Sequence, residues 1–93
     1  MDDLEITRRC AEAMGGIATE LPDFPGMWLV ERNDFAYAPL HDDAQAMALV
    51  KRFDVSVHMT EDGYWFVTYK ESSSFSTDLN RAICLAVAQR GKE

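Results

Sequence analysis

Apolar residues recur at helical spacing through Ala46, Met47, Leu49, Val50 and Phe53, the second half of a stretch that reads YAPLHDDAQAMALVKRF from Tyr37 onward. Pro39 disfavours an earlier helix start, and Asp42 is placed as N-cap with Gln45 three residues on, a variant of the capping box. Lys51 and Arg52 suit the negative end of the helix dipole, so the pattern predicts a central helix over 43–53. A first helix is predicted from Asp3 to Met14, with Ile6, Cys10, Ala13 and Met14 on one face and Glu5, Arg8 and Glu12 on the other. Asp2 and Asp3 favour its positive end, and Gly15 with Gly16 supplies the left-handed residue that ends it. The following IATELPDFPG carries two prolines and a glycine and reads as an irregular connection holding at most an extended segment.

Strand signals come next. MWLVE, from Met27 to Glu31, favours a strand, and Phe35-Ala36-Tyr37 after the polar Arg32-Asn33-Asp34 leaves room for one more. Val55, Val57 and Met59 alternate with Ser56, His58 and Thr60, Glu61-Asp62-Gly63 reads as a turn, and YWFVTYK completes a hairpin. Its second arm is apolar on both faces, Trp65, Val67 and Tyr69 pointing one way and Tyr64, Phe66 and Thr68 the other, as in a strand covered on both sides. Glu71 to Thr77 is rich in serine and reads as a polar loop offering caps to a last helix from Asp78 to Arg90. The stripe of that helix is Leu79, Ala82, Ile83, Ala86 and Val87, but Cys84, Leu85 and Ala88 occupy the opposite side. Its middle therefore needs cover on a second face, from the first helix or from a second subunit. The whole reads as an α+β chain of order α-β-α-β-β-α, with helices on both faces of a small, mainly antiparallel sheet, an α/β/α layered sandwich forming a single domain over residues 1–93.

Composition narrows the classes of function. A chain of 93 residues fits one domain, and at that size only a little over ~60% of the unfolded surface is buried, so cover by a second copy would add stability. The formal net charge of -7 argues against a non-specific hold on nucleic acid or on an anionic membrane and favours a basic partner. Cys10 and Cys84 each fall inside a predicted helix, which reads as two buried free thiols rather than a disulfide framework. MDDLEITRRC lacks the basic start and apolar core of a signal peptide, and no apolar run approaches the ~20 residues that span a bilayer, so a soluble, cytoplasmic protein is expected.

Three segments carry a family resemblance. Ala11-Glu12-Ala13-Met14-Gly15 resembles, one residue shorter, the A-E-x-x-M-G ending of the first helix in the phage ABA sandwich domain, a family of small bacteriophage and prophage proteins. PLHDDAQAMA, from Pro39 to Ala48, resembles that family's proline-led approach to its middle helix, and LNRAICLAVA, from Leu79 to Ala88, its closing helix. The hairpin with a tryptophan in its second arm falls where the family has one. The chain departs from the pattern at His41-Asp42-Asp43, where a hydroxyl residue followed by Asp is usual, and at Gly16, where an aromatic is common. The resemblance implies an α/β/α layered fold and a phage or prophage protein working in the cytoplasm of a bacterial host. It implies no activity and no catalytic residues.

The ionisable groups add little chemistry. His41, Asp42 and Asp43 form the only dense cluster, and an imidazole beside two carboxylates suits a divalent metal, yet both aspartates also stand where a helix N-terminus favours negative charge. His58 shares a strand face with Ser56 and Thr60 and reads as half-exposed, and two histidines are too few for a three-histidine zinc site. Cys84 lies in an apolar helical run, the wrong setting for a nucleophile that needs a base and a lowered pKa. No phosphate-binding glycine motif is present. Tyr64, Trp65, Phe66 and Tyr69 resemble a stacking platform for single-stranded nucleic acid, but only Lys70 is near, and core packing is the expectation.

No catalytic residue, metal or cofactor is therefore assigned, and His41, Asp42 and Asp43 are the binding candidates. The expected function is that of a non-enzymatic phage accessory protein that binds another protein, with a homodimer through the last helix also considered. Neither nucleic acid nor membrane is expected as a partner. The alternatives are a small hydrolase or metal-dependent enzyme built on His41, Asp42 and Asp43, and an acidic mimic of DNA. Against the mimic, the sixteen acids are scattered among nine basic residues. A pocket with convergent polar groups would mark the enzyme, and an exposed apolar patch with a polar rim the binding module.

Overall fold

Among the described residues three helices and six short strands form in the order α1 (Asp3–Ala13), β1 (Ala18–Glu20), β2 (Trp28–Val30), β3 (Phe35–Tyr37), α2 (Asp43–Phe53), β4 (Ser56–Met59), β5 (Trp65–Tyr69), β6 (Ser72–Ser76) and α3 (Leu79–Arg90). The computed structural model describes residues 2–15, 18–21, 23, 27–30 and 35–90. The expectations for Gly16, for the prolines and Gly26 of the first connection, for Glu31 and for the polar Arg32-Asn33-Asp34 lie outside the described residues.

Local signals place each helix. Asp2 caps α1, its Oδ1 accepting from the Glu5 amide at 2.8 Å, and Gly15 follows the helix with φ +90, a conformation that side-chain-bearing residues rarely adopt. Arg8 and Arg9 donate to the Glu5 carboxylate and hold it well below the usual carboxylate range, at about 2, with the Arg8 hydrogen bond contributing most. These groups lie on the outer side of α1, where solvent screens them and they add little to stability. The inner side is Ile6, Thr7, Cys10 and Ala11, so the buried stripe is centred toward Thr7 and Ala11 rather than toward Ala13 and Met14, which are partly buried.

The strands pair into two antiparallel three-stranded sheets, ordered β1-β2-β3 and β4-β5-β6. In the first, Thr19 faces Leu29 and Leu29 faces Ala36; in the second, Val57 faces Val67 and Val67 faces Ser74. α1 packs on β1 and β2, and the Trp28 indole N–H donates to the Leu4 carbonyl at 3.2 Å to tie the two together. α3 packs against α1 and α2 on one side and against β5 and β6 on the other. The layers therefore run from the first sheet through the helices to the second.

The α+β class and the antiparallel pairing hold as read from the sequence. The layering differs in one respect, because the strands divide between two sheets and the helices lie between them rather than on both faces of one. Two strands are additional. β1 is the extended segment within the first connection, and β6 replaces the loop expected over Glu71–Thr77. Serine is a poor strand former, and the Lys70-Glu71 link carries neither Gly nor Asn although Lys70 adopts φ 55, so neither of the usual hairpin signals is present.

What makes β6 a strand is its contact with α3. Ser72 Oγ donates to the Ala86 carbonyl at 2.7 Å and Ser74 Oγ to the Ala82 carbonyl, so small hydroxylated side chains let the helix backbone lie close above the sheet. On α3 itself, Ala82, Ile83, Cys84, Ala86, Val87 and Ala88 are all fully buried. The second face of that helix is covered within the chain by α1 and α2, which removes the reason for expecting a homodimer through it.

Candidate functional site

The start of α2 sets the position of the sequence-predicted candidates. Asp42 caps the helix through an Oδ1 that accepts from the Gln45 amide at 3.1 Å. Gln45 does not return to the cap. Its Oε1 accepts from the Ala38 amide at 2.7 Å and its Nε2 donates to the Ala36 carbonyl at 3.0 Å, clamping the end of β3 to α2 around the buried Pro39. Asp43 accepts from the Asn80 side chain at 2.8 Å, and Asp3 pairs with Arg81, so all three helices begin at one end of the molecule.

Between the starts of α2 and α3 lies a cleft of about 470 Å³ lined by Asp43, Met47, Thr77, Asp78, Leu79 and Asn80. Met47, expected in the core stripe of α2, opens onto this cleft and is 42% exposed. The polar groups here serve the helix ends: Asp78 Oδ1 accepts from the Arg81 amide at 3.3 Å, and Asp43 is held by Asn80. His41 is exposed and does not line the cleft. The structure thus places His41, Asp42 and Asp43 side by side without bringing them to a common point, and among the described residues no three His, Cys, Asp or Glu side chains are grouped to hold a metal ion. Asp42→Ala is expected to cost about 1 kcal/mol through loss of the cap, with His41→Ala near neutral, as read from urea denaturation midpoints.

Cys10 and Cys84 meet in the core, where the Cys10 thiol donates to the Cys84 carbonyl at 3.2 Å. Its hydrogen-bonding contact with the Cys84 side chain, together with burial, pushes the Cys10 thiol well above its ordinary range, the reverse of what a nucleophile needs. Burial likewise raises the Tyr37 phenol, with the two cysteines adding to it. These groups are sealed among apolar side chains and serve packing.

A different surface stands out. Along β5 the inner residues Trp65, Val67 and Tyr69 face the helices and belong to the core or pack against it. Phe66 points the other way and meets Phe75 of β6, ring centroids 4.6 Å apart. Phe75 is 59% exposed and Tyr64, just before β5, is 45% exposed. Core packing therefore holds for Trp65 and Tyr69 but not for Tyr64 and Phe66, whose face carries no helix among the described residues; His58, Ser56 and Ser73, on the same face by register, are exposed as well. Phe75 escaped notice in the sequence because the strand that carries it did. The usable signal was its phase: alternation in Ser72-Ser73-Ser74-Phe75-Ser76 puts Ser72, Ser74 and Ser76 inward and Ser73 and Phe75 outward.

A turn closes one end of this face. The Thr60 amide donates to the Tyr64 carbonyl at 2.8 Å, the Tyr64 amide to Thr60 Oγ1 at 3.1 Å and the Gly63 amide to the Thr60 carbonyl at 3.1 Å, with Gly63 at φ +85. Thr60, Asp62, Tyr64 and Phe75 then line a shallow cavity of about 240 Å³. No helix among the described residues is long and apolar enough to cross a membrane. Comparison with protein-family models, curated proteins and solved structures returns no match.

Proposed function

We propose that this chain is a non-enzymatic protein-interaction module whose working surface is the outer face of β4-β5-β6, and that it serves as a phage or prophage accessory protein in the cytoplasm of a bacterial host. The observation that carries the reading is the contiguous aromatic patch of Tyr64, Phe66 and Phe75 on an otherwise polar sheet face. Isolated exposed apolar side chains are ordinary, whereas aromatic side chains gathered into one exposed patch with a polar rim favour a binding surface. Aromatic anchors of this kind dominate binding energy in protein interfaces. The accessory role rests on the resemblance of the three segments described above. The enzyme alternative has less support, because Asp42, Asp43 and Asp78 serve helix ends and the thiols lie in the core.

The test compares variants of the patch with variants of the cleft. Phe75→Ser and Tyr64→Ser, both at exposed positions, are expected to keep the wild-type melting temperature within a few degrees and to weaken capture of the host or phage partner about 30-fold. His41→Ala and Asp43→Asn are expected to leave capture unchanged. Equal capture by wild type and Phe75→Ser would remove the patch as the working surface.

A further inference from the structure

We propose that the cavity beside the Glu61-Asp62-Gly63 turn seats an arginine side chain belonging to an extended segment of a basic partner protein. The inference rests on the interaction-module reading and specifies its partner. The cavity offers two aromatic rings, Tyr64 and Phe75, and one carboxylate, Asp62, in about 240 Å³. A planar guanidinium stacks on aromatic faces while its N–H groups reach a carboxylate, which a neutral or acidic side chain does not do. Phe66 backs the Phe75 ring, and the hydrogen bonds across the turn hold Thr60 and Tyr64 in place before any ligand arrives. Little ordering is left for binding to accomplish.

Charge selects the same occupant. Among the described residues neither Glu61 nor Asp62 has an ion-pair partner, and the basic residue of this hairpin, Lys70, stands past the far end of β5 with its ammonium 5.3 Å over the Tyr69 ring. With a net charge of -7 on the whole chain, the long-range field also favours a cationic partner. Backbone geometry supplies the second half of the site. Among the described residues β6 is an edge strand bonded only to β5, and the stretch from Ser72 to Thr77 holds no charge and no proline, the devices that normally discourage a further strand. An extended segment added along β6 would carry one of its alternating side chains past Phe75 and into the cavity.

The probe is the peptide acetyl-Thr-Val-Arg-Val-Thr-amide, titrated into the full chain and followed by amide chemical shifts. Saturable shifts at the turn from Thr60 to Tyr64 and along Ser72 to Ser76 are expected. Replacing arginine by citrulline, which keeps the shape and removes the charge, is expected to weaken binding about threefold to fivefold, and Asp62→Asn by a similar factor. Lysine in the same place should bind more weakly than arginine, and Phe75→Ser should abolish the shifts. A citrulline peptide that binds as tightly, or shifts that map elsewhere or never saturate, overturns the proposal. So does sedimentation showing a dimer that Phe75→Ser dissolves, since the face would then belong to a second copy. If the arginine dependence fails while Phe75→Ser still loses its cellular partner, the module stands with a partner of different chemistry; if that variant keeps its partner, both readings fall.

Discussion

Ile83→Ala is expected to lower the stability of this domain by about 2–5 kcal/mol, the range for truncating a fully buried isoleucine where the surroundings collapse only in part. The position is unusually unforgiving. Ile83 is 0% exposed at the centre of α3, and that helix contacts α1, α2, β5 and β6, so no single neighbour can move in to fill the void without leaving another. A domain of this size has about 5–15 kcal/mol in hand, so the loss is a large share of the total. The melting temperature should fall by roughly 10 °C or more. Leu85→Ala, at a partly buried position on the same helix, should cost distinctly less. Urea titrations of the two variants decide the matter. A cost below about 1 kcal/mol at Ile83, with an unchanged denaturant slope, would mean that α3 is not the packed centre on which the layers depend.

The centrality of α3 is legible in the sequence alone, because the run from Ala82 to Ala88 is apolar on both sides of the helix and cannot face water. Which element covers the second side was not legible. Ile6, Cys10 and Ala11 of α1 supply the cover, but nothing in the spacing of either helix states that they meet; that follows only from the chain path through two sheets. The β4-β5 hairpin was legible for a similar reason: Val57 and Val67 keep strict alternation, and Gly63 marks the turn.

The candidate site was legible only in part. His41, Asp42 and Asp43 drew attention by density of charge, and the structure gives two of them to the helix ends. Tyr64 and Phe66 were visible as apolar residues on the second face of β5, and the economical inference was cover by a helix. That inference failed because it assumed one sheet. Once the helices occupy the space between two sheets, the far side of β4-β5-β6 is left to solvent, and apolar residues there call for a different explanation. Propensity also worked against recognition of β6. Serine runs read as loops because their hydroxyls compete for backbone groups, and here Ser72 and Ser76 do make such local bonds, to the Tyr69 carbonyl and the Asp78 amide, but Ser72 and Ser74 also reach the backbone of α3.

That last contact carries the second large expected effect. Ser74→Leu should destabilise the protein by roughly 2–4 kcal/mol, the sum of overpacking against α3 and of the lost hydroxyl contact. Ser74 is buried and its Oγ lies against the Ala82 carbonyl, so a branched four-carbon side chain has no room unless helix and sheet separate. Ser74→Ala isolates the hydroxyl and should cost about 1 kcal/mol. Ser73→Leu, one residue away on the exposed face, should be close to neutral in the same denaturation experiment. The contrast tests more than one side chain, because only a strand turns neighbouring residues to opposite faces. Equal costs at the two positions would dissolve β6, and with it the inward Ser72, Ser74 and Ser76, the outward Phe75 and the exposed aromatic face that Phe75 forms with Tyr64 and Phe66.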